Sequence, residues 1–472
     1  MTGYSRSVDS VDHVLVRTGA YADSVTLLQV SRTVQGSPGV VTAQVAMATP
    51  LNLEVLTGMG FVIPDETTTN DLVIALRLEA SDGLDATLAA VDEALAARRT
   101  SGGEAARAPH RTTGAALRER PGLALVSVPG ASAAVEAMDA LESGCDVMIF
   151  SDNVPSLQEV ALKQYAAERS LLVMGPDCGT AVVGGVGLGF ANTTEPGPVG
   201  LVAASGTGCQ QLLALLDHAG VGVTDALGVG GRDLSAEVGG LSTREGMSRL
   251  DADADVELIV VVSKPPAPEV AASIGSYADS LATPVQLALL GEGQPDLTAA
   301  AEAILTGLGR EVPGWPVEGA TSRTAAGERL EGLFVGGTLC SESRLIAEPL
   351  LGADRCRFID FGDDEYTQGR AHPMIDPGLR LEELARVGAD PATGVLLLDV
   401  VLGHGAEPDP AAALAPVLSG LTVPVVASVV GTRLDPQDRD RQVRALVDAG
   451  VEVHLSNARA TRRALDLLGA VR

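Results

Sequence analysis

Ser205-Gly206-Thr207-Gly208 interrupts an apolar run, Leu201 to Ala204, and a helix-like apolar spacing follows it. A strand that passes through a glycine turn into a helix is a place to hold an anion. The first four N–H groups of a helix have no intrahelical partner, and the peptide dipoles add partial positive charge at that end. Glycine lets a ligand approach the backbone, and a Ser or Thr hydroxyl there caps the helix or bonds a phosphate oxygen. Gly336-Gly337-Thr338 repeats the pattern in "GLFVGGTLC". Each turn alone also reads as a plain helix cap. Two of them, in related surroundings, are expected to aim two helix N-termini at one phosphate or carboxylate. The expected phosphate seat is Ser205, Gly206, Thr207, Gly208, Gly336, Gly337 and Thr338.

Other residues of suitable type lie at the ends of apolar runs. Ligands of parallel sheets sit beyond the carboxyl ends of strands, which singles out Asn153 and the stretch Pro176, Asp177, Cys178, Gly179 and Thr180. Lys264 ends another run, before two prolines, where an anion contact and simple exposure are both open. "GRAHPMID" holds Arg370, a bidentate anchor for a carboxylate or phosphate, and His372, a proton carrier near neutral pH; both also read as surface-loop residues. His404 follows Gly403 at a strand end and is a third catalytic candidate. His110, His218 and His454 read as structural. Asp360, Asp363 and Asp364 form an acidic cluster. It reads first as a turn and helix cap, with Asp363 also a candidate substrate contact and Asp360 or Asp363 a partner that positions Arg370, and no fixed metal is expected. Cys178 and Cys209 have no neighbouring base in sequence, so neither is expected to be a nucleophile.

These residues need elements to position them. A chain of 472 residues suggests about three domains at roughly 150 residues each. "TSGGEAARAPHRTTG" (100–114) and "EVPGWPVEGATSRTAAGER" (311–329) read as linkers. The first part, 1–100, alternates strand and helix patterns as a small α+β domain of ferredoxin or ACT type. The second alternates strands and helices, which implies a parallel sheet; it divides into a Rossmann-like domain at 108–194 and a further unit at 195–310. The third, 328–472, repeats the design of that unit. "GLFVGGTLCSESRLI" parallels "GLVAASGTGCQQLL", and "FIDFGDDEYT" parallels "ALGVGGRDLS". "GVLLLDVVLGHGAEPDPA" and "VPVVASVVG" parallel "VELIVVVSKPPAPEVA" and "TPVQLALLG". The fold expected is α/β, with two duplicated flavodoxin-like sheets.

The formal charge of −28 argues against nucleic acid and anionic membrane partners. Five cysteines without a C-x-x-C pair argue against a disulfide framework or zinc site, and fit a reducing cytoplasm. No signal peptide or membrane span is expected.

Residues about 121–310 resemble the alpha subunit of succinyl-CoA synthetase. "GCDVMIFSDNVPSLQEV…LLVMGPDCGT" resembles the end of its CoA-binding domain. "GPVGLVAASGTG", "GVGGRDLS" and the strand ending at Ser263-Lys264 resemble its ligase domain, which adds Gly231 and Arg232 to the substrate-contact candidates. Residues about 330–472 resemble the ligase domain of the beta subunit. The whole arrangement is similar to the FdrA family, most specifically in "DFGDDEYTQGRAHPMIDP" and "LLLDVVLGHGAEPDPA". In the synthetase, paired ligase domains present helix N-termini to a phosphohistidine. Here the corresponding region reads "LLGEGQPDLTAAAEAIL", without histidine, and no ATP-grasp segment or opening CoA glycine loop is visible. CoA binding is therefore not expected, nor nucleotide-driven thioester synthesis by this chain alone. The FdrA resemblance implies instead an oxamate carbamoyltransferase subunit of allantoin breakdown, interconverting oxalurate and phosphate with oxamate and carbamoyl phosphate. Phosphate or carbamoyl phosphate would be the ligand, an oxamate-like amide the acceptor and companion carbamoyltransferase subunits the partners, with a homo-oligomer left open. The alternatives are an acyl-CoA synthetase subunit with a separate ATP-grasp partner, and a non-catalytic scaffold or metabolite sensor.

Overall fold

The computed structural model describes residues 10–20, 22, 24–80, 83–99, 110–367 and 371–470. They fall into two compact units, Met1–Pro109 and His110–Arg472.

The first unit runs β1 (Val11–Arg17), α1 (Ser24–Gln35), β2 (Val40–Met47), α2 (Pro50–Gly58), β3 (Leu72–Leu78) and α3 (Leu84–Arg99). Its sheet is antiparallel in the order β1-β3-β2. β1 and β2 thus flank β3, a split βαβ arrangement. β3 is buried on both faces. Leu72, Ile74 and Leu76 pack with Leu27, Val30 and Val91, while Val73 and Ala75 meet Leu56 and Phe61. The small α+β domain read from the sequence is present, with α2 as an added element.

The second unit opens with α4 (Thr113–Glu119), β4 (Ala124–Val126), α5 (Gly130–Glu142), β5 (Val147–Ile149), α6 (Ser156–Ala167) and β6 (Val173–Met174). Its three strands form a parallel sheet. β7 (Thr180–Val183) and β8 (Val186–Gly189) follow as a hairpin. The sequence placed 180–189 with this Rossmann-like part, but β7 pairs with the next sheet instead.

That sheet contains β9 (Val199–Ala204), α7 (Gly206–His218), β10 (Val223–Gly228), α8 (Leu241–Asp251), β11 (Leu258–Ser263), α9 (Pro268–Ala278), β12 (Val285–Leu289) and α10 (Leu297–Gly307). The other contains β13 (Val317–Glu318), β14 (Arg329–Phe334), α11 (Gly337–Leu351), β15 (Cys356–Asp360), α12 (Asp364–Thr367), α13 (Gly378–Gly388), β16 (Thr393–Val401), α14 (Pro410–Ser419), β17 (Val425–Val430), α15 (Arg439–Asp448), β18 (Glu452–His454) and α16 (Asn457–Leu467). The orders are β12-β11-β9-β10-β7-β8 and β13-β18-β17-β16-β14-β15. Renumbered within each copy, the parallel strands run 2-1-3-4 and 2-1-3-4-5, the flavodoxin-like order. β9 and β16 are buried throughout, as strands covered on both faces must be.

The copies pack through helices between the two sheets. Residues Gly208–Asp217 of α7 are all buried. Its leucines share one core with Phe334, Leu339, Leu397 and Leu465. A helix buried all round must satisfy its polar groups. Gln210 donates to the carbonyl of Leu402 at 2.9 Å, and Gln211 to that of Leu455 at 3.1 Å. Asp435 accepts from Asn192 Nδ2, Thr193 N and Thr432 N, at 2.7, 2.8 and 2.7 Å. No described helix is long and apolar enough to cross a membrane.

Candidate functional site

Parallel register brings the site residues to one level. Ala204 pairs with Ser263, so Ser205 and Lys264 leave neighbouring strands together. Phe334 pairs with Asp360, so the Gly336–Thr338 turn and Asp360 leave the other sheet together. Ser205 is extended and caps α7: its Oγ accepts from Gly208 N at 3.0 Å. That same Oγ lies 2.6 Å from Thr338 Oγ1, and Thr338 N donates to Thr207 Oγ1 at 3.4 Å. The N-termini of α7 and α11 therefore touch, as the paired turns implied. The buried hydroxyls of Ser205 and Thr338 join the helices to each other, where the sequence expected them to face an anion. Among the described residues, the N–H groups of Gly206, Thr207 and Gly337 donate to no partner.

Lys264 stands beside these amides. A Cβ on Gly337 would lie 2.7 Å from Lys264 Nζ and would collide with Asp360 Oδ2, so a side chain there would have to displace both. Lys264 is half-buried and has no ion pair among the described residues. Asp360 Oδ1 accepts from Gly362 N at 2.9 Å. Burial raises the Asp360 pKa, opposed first by the Lys264 charge. Thr180 Oγ1 lies 3.6 Å from where a Cβ on Gly206 would stand. Asp399, buried in β16, fixes the second turn by accepting from Val335 N at 2.9 Å and Gly336 N at 2.8 Å, and is paired with Arg380. Sequence reasoning missed Asp399. The signal was a carboxylate inside the otherwise apolar run "LLLDVV".

His372 sits across Gly362. Its Nδ1 accepts from Met374 N at 3.2 Å, which assigns the proton of the neutral ring to Nε2. Nε2 stands 3.0 Å from where a Cβ on Gly362 would be. The ring packs 5.2 Å from Phe190, which meets Phe150 at 5.4 Å. Burial pushes the His372 pKa down to about 4, so the imidazole is neutral at pH 7. His404 is exposed, and its Nε2 pairs with Thr193 Oγ1 at 3.0 Å. Asp363 is exposed, and its Oδ1 accepts from Glu365 N at 3.3 Å. Arg370 lies outside the described residues.

Other candidates form a separate group. Gly179 packs against Phe190, but exposed Asn153 and Asp177 and buried Pro176 line the ends of β5 and β6. Gly231 is open to solvent, and Arg232 is held by Glu159 at 2.9 Å and by the carbonyl of Val154 at 2.7 Å. Behind it, buried Lys163 bonds Glu159 and Asp233 at 2.9 and 2.7 Å, tying α6 to the turn after β10. Its place in a helix gave no sign of this burial. Burial pushes the thiols of Cys178 and Cys209 up to about 12, far from a thiolate nucleophile. His110 pairs with Glu119, His218 with the carbonyl of Gly314 and His454 with Glu452. No group of three or more His, Cys, Asp or Glu among the described residues could hold a metal ion.

Residues 333–467 match the CoA-ligase family, and residues 9–110 match the family described as AllF, heavy metal-associated domain. Soft metals need thiolate or imidazole donors. The span has no cysteine, and its two histidines are His13, whose Nε2 has no hydrogen-bond partner among the described residues, and His110, which pairs with Glu119. Of its described side chains, Asp12 is paired with Arg77, and Asp71 accepts from Gly19 N and Thr68. The succinate–CoA ligase [ADP-forming] alpha subunit of Staphylococcus aureus (strain Mu50 / ATCC 700699) is 25% identical over 146 residues, 30% of this chain and 47% of that protein. The dinucleotide-forming acetyl-coenzyme A synthetase 1 of Ca. Korarchaeum cryptofilum, solved with phosphate and ADP, aligns over 75% of this chain and 84% of its own, at 14% identity and a TM-score of 0.31. The uncharacterized protein YahF of Escherichia coli (strain K12) is 35% identical over 93% of this chain and 95% of its own length. Sharing that extent of sequence, the chain belongs to the family of YahF, an FdrA-like family of CoA-ligase type that carries an AllF-type amino-terminal domain.

Proposed function

We propose that this chain is a subunit of an acid–CoA ligase-type enzyme and holds the phosphoryl end of an acyl phosphate where α7 meets α11. One observation carries the reading: two helix N-termini abut, and among the described residues their Gly206, Thr207 and Gly337 amides are open and the Lys264 Nζ beside them is unpaired. Helix N-termini bind phosphate through such amides and the helix dipole. The same groups stabilise the charge that grows on phosphate as it leaves an acyl carbon. The CoA-ligase match over 333–467 and the likeness to a succinate–CoA ligase alpha subunit support this chemistry. Nucleotide activation is assigned to a separate ATP-grasp partner.

A second reading keeps the seat and changes the acyl group. Segment 291–297, "GEGQPDL", has no histidine to carry a phosphoryl group. Carbamoyl phosphate is already an acyl phosphate and needs none, so a carbamoyl transfer to an oxamate-like amide, with companion subunits, is served by the same geometry.

Thermal melts with phosphate, acetyl phosphate, carbamoyl phosphate, CoA and ATP test both. A ligand at 100 times its Kd stabilises the native state by about 2.7 kcal/mol. Phosphate and both acyl phosphates should raise Tm, and ATP should not. Added stabilisation by CoA selects the ligase. Stabilisation by carbamoyl phosphate with oxamate, and none by CoA, selects the transferase. No response to any anion would overturn both and leave a scaffold.

A further inference from the structure

We propose that Asp360 is the catalytic base of this site, the group that takes the acceptor's proton during acyl transfer. The inference rests on the reading of the site as an acyl-phosphate seat, and begins from which carboxylate there is uncommitted. Asp399 spends both oxygens on the Val335 and Gly336 amides and also faces Arg380. Asp435 accepts three hydrogen bonds elsewhere. Asp360 has Oδ1 held by Gly362 N, while Oδ2 accepts no hydrogen bond among the described residues and is turned to the α-carbon of Gly337, one of the seat's open amides. Lys264 Nζ reaches the same point.

The neighbouring imidazole does not serve. The Met374 N–H occupies His372 Nδ1, so Nε2 of the neutral ring is a donor. His372 Nε2 and Asp360 Oδ1 face the same space above Gly362, 3.0 and 3.2 Å from where a Cβ would stand. The pair presents a donor and an acceptor to a bound acyl group.

The transfer then balances. The acceptor's N–H or S–H attacks the acyl carbon. The carbon–oxygen bond to phosphate breaks, and its electron pair leaves with phosphate, which stays against the Gly206, Thr207 and Gly337 amides and Lys264. The proton passes to Asp360 Oδ2. Among the described residues, five titratable groups face Asp360: Lys264 favours its charge, Asp363 and Asp399 oppose it, and His372 and the Cys340 thiol are near. An anion arriving in the seat opposes it further, so binding and proton uptake are coupled.

Calorimetry of sulfate binding at pH 6, in two buffers of different ionisation enthalpy, reads that coupling without turnover; sulfate does not itself titrate there. The parent chain should take up a fraction of a proton per sulfate. Asp360→Asn should take up none and bind sulfate at least as tightly, and His372→Gln should keep the uptake. Proton uptake that persists in Asp360→Asn would overturn the proposal. No sulfate binding by the parent would remove the anion seat itself, a distinguishable failure. With acetyl phosphate and CoA, or carbamoyl phosphate and oxamate, kcat should fall roughly 100-fold or more in Asp360→Asn, with the donor's KM not raised and Asp360→Glu partly restoring the rate. An unchanged kcat would also overturn it.

Discussion

Gly206 and Gly337 belong to the proposed phosphate seat but differ in what surrounds them. A side chain at Gly206 meets only Thr180 Oγ1, at ordinary contact distance, whereas one at Gly337 strikes Asp360 and Lys264. Gly206→Val should therefore fill the seat and abolish phosphate binding with Tm within about 1 °C of the parent, a shift of roughly 1 kcal/mol or less for a unit of this size; Gly337→Val should lose both binding and stability. Lys264→Gln should weaken phosphate binding about 10-fold, or about 1.4 kcal/mol, while leaving Tm unchanged without ligand. A parent-like affinity would return Lys264 to solvent. His372 gives a pH signature. Its pKa falls from 6.5 to about 4 on burial, so between those values the unfolded chain binds the proton that the folded chain refuses. Stability then drops as pH falls from 6.5 toward 4. Urea denaturation at pH 7 and pH 5 should show this loss, and His372→Gln should reduce it.

At the level of elements, the junction of α7 and α11 is braced from behind. Glu342 on α11 is buried and accepts from Leu297 N at 2.7 Å and Asn457 Nδ2 at 2.8 Å, linking α10, α11 and α16. Glu342→Ala orphans the buried Leu297 N–H, while Asn457 Nδ2 keeps the Leu339 carbonyl and Ser343 Oγ, and should cost roughly 1–3 kcal/mol by chemical denaturation. A loss below 1 kcal/mol would show that the brace carries nothing. The glycine turns, the parallel strand order and the duplication were legible because apolar runs, helix spacing and turn residues each leave a local pattern. Three features were not. The 180–189 hairpin carries no mark of which sheet it joins. Ser205 and Thr338 have the residue types of phosphate ligands, yet their pairing depends on the distance between two helices 133 residues apart. Lys163, Asp399 and Glu342 were not singled out, because burial is a property of packing that a single strand or helix does not encode.

On the scale of the molecule, the two units have their own cores, with Leu27, Ile74 and Leu76 inside the first and the sheet-and-helix layers inside the second. Residues 110–472 expressed alone should fold cooperatively and bind phosphate within about 2-fold of the full chain, a difference of about 0.4 kcal/mol. Loss of binding on truncation would give the amino-terminal unit a part in the site. The site also depends on the two flavodoxin-like sheets staying docked, since each contributes one helix N-terminus.

Isothermal titration of acetyl phosphate into the intact chain, beside Gly206→Val and Lys264→Gln, tests the acyl-phosphate seat most directly. The parent should show one saturable site in competition with phosphate, lost in Gly206→Val and weakened about 10-fold in Lys264→Gln. Equal affinity in all three proteins, or no saturable binding by the parent, would contradict the account.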